Sequence, residues 1–423
     1  MTRRAVITGI GPVTSIGVGK DPFWNALLQK KATISPLPPA FEGNYAFHSR
    51  WYAPLPHFSL GDHGLAFHYE NAMQQIDRMA VLAAKTAFED AGYRVTCKDS
   101  PIRIDNLDSC GILLGIGVGS LECGFDSNLA HRLPQELFDR VTAEHKIKFH
   151  RMVIPASMPN SPAAWISICF GIHGQSSTIN ASCASGTYAI GEAYRRIRDG
   201  YDTTMVCGGV ECLRDSSGSI MRGFDMLGAL TLNSDGLPCP FSKKRSGFLF
   251  TEGGACMLIL ESLEHARSRK APIYAEVLDY TACSDAVNII QMQKGGTQIT
   301  SMLRAINRER HIDYLNAHGT GTVPNDEIEA RAIQAVFGDS HQQPLINSTK
   351  GILGHTLGAS GAIETAVAAL SIKHSMVHGN LTRDPIDNLN LPKDPVETPV
   401  ETVLSVSYGF GGHNGGLLLG KVS

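Results

Sequence analysis

A chain of 423 residues that is 43% apolar has material for a large core and for two or three domain-sized units, which excludes a disordered chain. Its 37 basic and 40 acidic residues leave a formal charge of -3 and are spread along its length, so no basic face is available for a phosphate backbone and nucleic acid is a poor partner. Ten cysteines, mostly inside apolar runs and never paired as CxxC, read as buried thiols of a reducing cytoplasm, not as a disulfide frame or a zinc ribbon.

The opening "MTRRAVITGIGPVTSIG" is interrupted by Gly9, Gly11 and Pro12 and is too short for a secretion signal, and no run of about 18 apolar residues follows that would span a membrane. "GIGPVT" falls short of a dinucleotide fingerprint, because Thr14 replaces its third glycine. Short apolar segments of strand character then recur: "RAVITGIG", "CGILLGIGVG", "TTMVCGGVE", "GACMLILES", "IYAEVLDYTA", "IDYLNAHGTG", "PLINSTKG" and "VLSVSYGFGG". Several lack a polar alternate, as strands covered on both faces do.

Helical patterns lie between them. Ile76, Met79, Ala83 and Ala87 keep intervals of three and four before Gly92 ends the run, and "SPAAWISICFGIHG" and "SGAIETAVAALSIKHS" are apolar enough to be central helices. Alternation of this kind predicts an α/β architecture with crossover connections. The charged segment before "APIYAEV" predicts a division into residues 1–268 and 269–423, and the polar stretches 36–70 and 121–153 read as insertions over the sheet edges or a site entrance.

Four stretches join reactive side chains to a strand-to-turn setting. In "TINASCASGTYAIGEAYRRI", Cys183 precedes a helix from Ala184 to Arg198, where the macrodipole and free N–H groups favour a thiolate. "YLNAHGTGT" carries His318 in a glycine turn, "INSTKGILGHTLGASGAIE" brings Lys350, His355 and Glu364 into a nearly apolar segment, and "SYGFGGHNGG" is a glycine-dense turn whose N–H groups suit an oxyanion. Each has a bland counterpart: a packed thiol, a turn histidine, a solvated lysine, a tight connection. Cys183, His318 and His355 would also make a zinc triad, although Lys350 beside a metal would be repelled.

In this order the four stretches resemble the chain-elongating β-ketoacyl-acyl carrier protein synthases of the thiolase-like superfamily, from "AVITGIGPVTSIG" to "SYGFGGHNGGLLL". The resemblance implies a thiolase-like α/β fold of two pseudo-duplicated halves layered α-β-α-β-α. It implies Cys183 as nucleophile, His318 and His355 as Nε2–H donors to an enolate oxygen, and a buried Lys350–Glu364 pair that sets the orientation and charge around His355. Asp326, Thr320 and Thr322 would support the histidine turn, and the backbone N–H groups of Cys183 and the gating Phe410 would form the oxyanion hole.

The implied reaction is decarboxylative condensation of malonyl-acyl carrier protein with an acyl group held on Cys183. It needs no metal or organic cofactor, since the phosphopantetheine travels with the acyl carrier protein, and the chain is expected to dimerise with itself or a relative. Departures from the family pattern concern the substrate: His413 stands where a threonine is usual, Gly228 where elongating members often carry arginine, and "AVNIIQMQKGG" lacks a proline-rich loop. Fatty-acid and specialised polyketide or polyene pathways both fit. Two other readings are a non-catalytic or chain-length-determining partner subunit, which usually lacks the cysteine, and a cysteine-dependent acyl hydrolase, which leaves Lys350 and the second histidine unexplained.

Overall fold

The computed structural model describes residues 2–423 apart from 42, 44, 66–69, 97–101, 106, 108, 135–136, 138–148 and 309. Cys97 and parts of both polar insertions therefore lie outside the described residues. Ten strands form the path of an eleven-stranded central sheet, whose remaining two-residue strand, Gly17–Val18, pairs with the first of them. Those of the first half are β1 (Ala5–Thr14), β2 (Cys110–Gly115), β3 (Ser176–Ile179), β4 (Thr204–Cys212) and β5 (Gly253–Ser262). Those of the second are β6 (Ala275–Ser284), β7 (Tyr314–Asn316), β8 (Leu345–Asn347), β9 (Thr402–Gly409) and β10 (His413–Gly420).

The first half runs β3-β2-β4-β5-β1 and the second β8-β7-β9-β10-β6. Directions repeat as well: β2 lies parallel to β3 and β4, while β5 is antiparallel to β4 and β1. Correspondingly, β7 lies parallel to β8 and β9, while β10 is antiparallel to β9 and β6. The same fold unit is thus built twice, and the copies join where Ala5, Val6 and Ile7 of β1 pair antiparallel with Val277, Glu276 and Ala275 of β6.

Helices complete the layers. α1 (Gln75–Asp90) and α2 (Ser161–Phe170) cover the first unit, while α5 (Thr297–Asn307) and α6 (Val323–Phe337) cover the second. Between the units pack α3 (Ser185–Arg198) and α8 (Ser360–His374), and α4 (Ser219–Met226) follows β4. α8 is buried from Ser360 to Ile372, which explains why its sequence shows no polar face. Burial on both faces also explains the unbroken apolar runs of β1, β4 and β5, buried along their whole length.

Two elements depart from the expected pattern. The segment after Phe410 continues as β10, not only as a turn, because Leu417, Leu418 and Leu419 find cover on both faces of the sheet. The short β3 also escaped notice, since "SSTI" is half exposed at the sheet's end and carries little apolar signal. The insertion from residue 36 packs close to the chemistry: Phe41 and Phe47 join Cys183, Phe248 and Leu357 in one apolar cluster, and Leu121 packs against it.

Candidate active site

Cys183 sits in a single tight turn, Ser182–Ala184, that leads into α3. Ser182 holds a left-handed φ of 53°, a conformation costly for a residue with a Cβ and kept only where its surroundings demand it. Ser185 supplies that demand, for its hydroxyl accepts from Ala181 N at 2.9 Å and donates to Ser182 O at 2.6 Å. From the second unit the end of β9 presses against the turn. A Cβ on Gly409 would fall 2.7 Å from Ala181 O and 3.1 Å from Cys183 N, so only glycine lets the next residue, Phe410, aim its N–H at the Cys183 sulfur.

Burial pushes the Cys183 thiol above its ordinary value near 9; the Ser182 hydroxyl, the Lys350 ammonium and the Phe410 N–H pull the other way, and Glu211 adds to the rise. Burial thus works against the thiolate expected from the helix start, because desolvation penalises the charged form.

His318 follows β7 and His355 follows the short helix α7 (Lys350–Leu353), and both are buried. Their rings stand edge-to-face with centroids 5.5 Å apart, and Phe248 stands edge-on to His355 at 5.2 Å. Burial, then the Lys350 charge, holds both imidazoles well below the usual histidine range, so both are neutral. Lys350 Nζ lies 3.3 Å from His318 Nδ1; an ammonium only donates, so Nδ1 accepts and the His318 proton resides on Nε2. His355 Nδ1 meets the Ser360 hydroxyl at 3.1 Å, and Ser360 also bonds Thr356 Oγ1 at 2.9 Å.

The Lys350–Glu364 pair exists, fully buried, but it is placed differently from the expectation. Lys350 reaches His318 and not His355, because α7 turns the lysine toward the end of β7, while His355 is oriented by Ser360. Both members stand behind the histidine, outside the cavity wall. Burial raises Glu364 to about 7 against the pull of Lys350.

Cys183, His318, His355, Thr320, Thr322 and Phe410 line one cavity of about 390 Å³. It reaches the surface beside Leu227 (51% exposed) and Ile290 (42% exposed), so the sulfur is connected to solvent. Gly228 borders this opening with φ 63° and open space where a side chain would begin. Ile290, Gln291, Met292 and Lys294 come from the loop that departs from the family pattern. His413 stands outside the wall, half-buried and edge-on to Tyr188 at 6.3 Å. Thr320 and Thr322 share a hydrogen bond of 2.9 Å. Asp326 stays out of the cavity and accepts from Phe241 N at 2.7 Å and Gly321 N at 3.1 Å, fixing the histidine turn from behind.

Sequence reading missed two further buried carboxyls. Glu329 accepts from the N–H groups of His318 and Gly319, both at 2.8 Å. Glu211, near the end of β4, accepts from Gly117 N at 2.9 Å, Gly119 N at 2.6 Å and Gly358 N at 3.0 Å, and from Val118 N. It ties a loop of the first unit to a turn of the second directly behind Cys183. Burial raises each to about 7 despite these donors. The signal for Glu211 was legible, as a lone carboxyl inside the apolar run "TTMVCGGVEC". Among the described residues no group of three His, Cys, Asp or Glu side chains is arranged to hold a metal ion, the Cys183, His318 and His355 set included.

Comparison with known proteins gives the family. Residues 2–266 match the model of the β-ketoacyl synthase N-terminal domain and residues 274–383 that of the C-terminal domain. The chain is 30% identical to 3-oxoacyl-[acyl-carrier-protein] synthase 2 of Coxiella burnetii, with 99% of both chains covered. Among solved structures it superposes on the ishigamide ketosynthase/chain length factor with a TM-score of 0.83 at 27% identity, all of both chains covered. A type II PKS acyl-carrier protein in complex with its ketosynthase bound to the hexaketide gives a TM-score of 0.81 at 28% identity, again over the full length of both chains. The chain belongs to the β-ketoacyl synthase family.

Proposed function

We propose that this chain catalyses carbon–carbon bond formation between a malonyl unit on an acyl carrier protein and an acyl group held as a thioester on Cys183. The observation that carries the reading is the convergence of one thiol and two neutral imidazoles on a single cavity that opens to solvent. In the first half-reaction the Cys183 sulfur attacks the acyl thioester carbon. The carrier's thiol leaves with the cysteine's proton, and the oxyanion rests on the N–H groups of Cys183 and Phe410.

In the second, the malonyl carboxylate departs as carbon dioxide and its bonding pair forms an enolate, whose oxygen takes Nε2–H bonds from His318 and His355. The enolate carbon attacks the acyl-enzyme, the Cys183 sulfur leaves with the electron pair, and a proton from solvent restores the thiol. Lys350 is a positioning residue: paired with Glu364, it fixes the His318 tautomer. The arm that brings each substrate is the carrier's phosphopantetheine, and the chemistry calls for no metal and no bound organic cofactor.

A paired subunit in the cytoplasm fits the surface. β3 ends the sheet with one edge free among the described residues, and Val118, Phe125, Leu129, Ile154 and Ile168 are exposed on the first unit. The ketosynthase/chain length factor neighbour makes a related subunit as natural a mate as a second copy. Intact-mass measurement after incubation with a panel of acyl carrier proteins tests the reading. The wild type should retain one acyl mass and Cys183→Ala none; acylation of the alanine variant would overturn it.

A further inference from the structure

Glu211, fully buried on β4, has both carboxyl oxygens engaged. Oε2 accepts from Gly117 N at 2.9 Å, Val118 N at 3.0 Å and Gly358 N at 3.0 Å, and Oε1 from Gly119 N at 2.6 Å. Gly117 passes this constraint to the nucleophile. Its carbonyl accepts from Asn180 Nδ2 at 2.7 Å, and Asn180 Oδ1 accepts from Ser182 N at 3.2 Å, at the residue whose left-handed φ bends the chain into Cys183. Gly358 passes it to a histidine. It lies in the turn Leu357–Ala359, where Leu357 also holds a left-handed φ, of 44°. That turn leads into Ser360, whose hydroxyl meets His355 Nδ1 at 3.1 Å. Strained residues of this kind persist only where their surroundings over-determine them, and here one carboxyl stands between two of them.

The two units thus meet around Cys183 at two separate contacts. At one, Gly409 abuts the Cys183 backbone and the Phe410 N–H aims at the sulfur. At the other, the loop at 117–119 abuts both turns: a Cβ on Gly117 would lie 3.2 Å from Gly358 N and 3.3 Å from Ser182 O. Gly186 packs on Ala362 nearby, and to that contact Glu211 adds directed bonds. Building on the condensation reading, we infer that Glu211 is a positioning residue for the bond-forming step, holding the acyl carbon on Cys183 against the enolate at His318 and His355. Acylation uses the first contact, whose N–H groups receive its oxyanion. Loss of carbon dioxide uses the two imidazoles. Only attack of the enolate carbon on the acyl-enzyme needs the Cys183 turn and the His355 turn in register, and a misplacement of about 1 Å there lowers the rate by up to about a hundredfold. An enolate that misses the acyl carbon takes a proton from solvent and leaves as acetyl carrier protein.

The test is a ratio: condensed product against acetyl carrier protein, both counted by mass after malonyl carrier protein is added to the enzyme acylated by the carrier that loads Cys183. Because both products come from the same folded molecules, partial unfolding does not move it. The wild type should give almost wholly condensed product. Glu211→Gln turns an amide N–H2 toward the backbone donors, and its ratio should fall about tenfold or more. It should acylate at least as fast as the wild type, since a negative charge that disfavours the thiolate is gone. Asn180→Ala removes an exposed side chain, so it should fold, and it cuts the same path between Gly117 and Ser182; its ratio should fall about threefold. Ratios equal to the wild type's overturn the inference, as does acylation that falls in step with condensation. Should Glu211→Gln fail to fold, the Asn180→Ala ratio decides alone. A wild type that loads an acyl group but forms no condensed product overturns the condensation reading and this inference with it, whereas an unchanged ratio in a condensing enzyme overturns the inference only.

Discussion

Lys350 Nζ stands 3.3 Å from His318 Nδ1 while its charge is shared with the buried carboxyl of Glu364. The lysine thus bonds one histidine only, from outside the cavity, while its charge helps to keep both imidazoles neutral. Replacing it by methionine leaves Glu364 buried without its partner and frees the His318 ring to change tautomer. Stability should fall by about 3–5 kcal/mol, read as a shift in the urea midpoint. Release of carbon dioxide from malonyl carrier protein should fall roughly a hundredfold. Adding Glu364→Gln should return most of the stability and none of the rate, which separates orientation from folding.

His318 and His355 are neutral and lie side by side, and on the proposed reading each offers one N–H to the same developing oxygen. His318→Ala and His355→Ala should both still accept the acyl group on Cys183. Each should lose decarboxylation by about 2.7–4 kcal/mol of barrier, a hundredfold or more. A mass spectrum showing acylation beside an absent carbon dioxide signal is the expected pair of readings. Loss of acylation in either variant would assign that histidine to the first half-reaction instead.

Much of this arrangement was legible in the sequence because the reactive residues sit in short glycine turns at strand ends, and such turns survive as contiguous strings. Cys183, His318, His355 and Phe410 could be read this way. What escaped is what is assembled across the two units. Glu211 bonds a loop at 117–119 and a turn at 358, which share no string with it. The orienting part of the Lys350 assignment went astray for the same reason: proximity in sequence favoured His355, and the path of α7 gave the hydrogen bond to His318, although the lysine's charge does act on His355. Repetition of the fold unit was expected only through the family resemblance, and the strand order, which recurs between the halves, bears it out.

Alkylation of Cys183 should report its electrostatics directly. Burial holds the thiol above its ordinary value near 9, so the thiolate is scarce at neutral pH and its fraction grows tenfold per unit until the pH passes that raised value. The alkylation rate of the free protein should therefore climb through pH 9 without a plateau below it. Lys350→Met removes a nearby positive charge that lowers the thiol, and should move the profile further up. A plateau near neutrality would show that the helix start outweighs burial after all.

Glu211 gives a stability prediction whose pH dependence has a definite sign. Its carboxyl collects the N–H groups of Gly117, Val118, Gly119 and Gly358, and a Cβ on Gly358 would come within 2.3 Å of Gly117 N, so the two segments meet at a distance only glycine permits. Glu211→Ala strands these donors in a dry interior at about 1–3 kcal/mol each and should prevent stable folding. Glu211→Gln keeps one acceptor and should fold. In the native protein burial raises Glu211 from 4.5 to about 7, so between those values the folded state holds a proton that the unfolded chain has lost. The stability contributed by this group is complete below about 4.5 and declines by about 3 kcal/mol as pH climbs to about 7, with no further change above. Glutamine does not titrate. The stability gap between the wild type and Glu211→Gln should therefore be widest at the acid end and narrow toward neutrality, and a gap that widens over the same range would show that the four N–H donors outweigh burial and hold this carboxyl ionised.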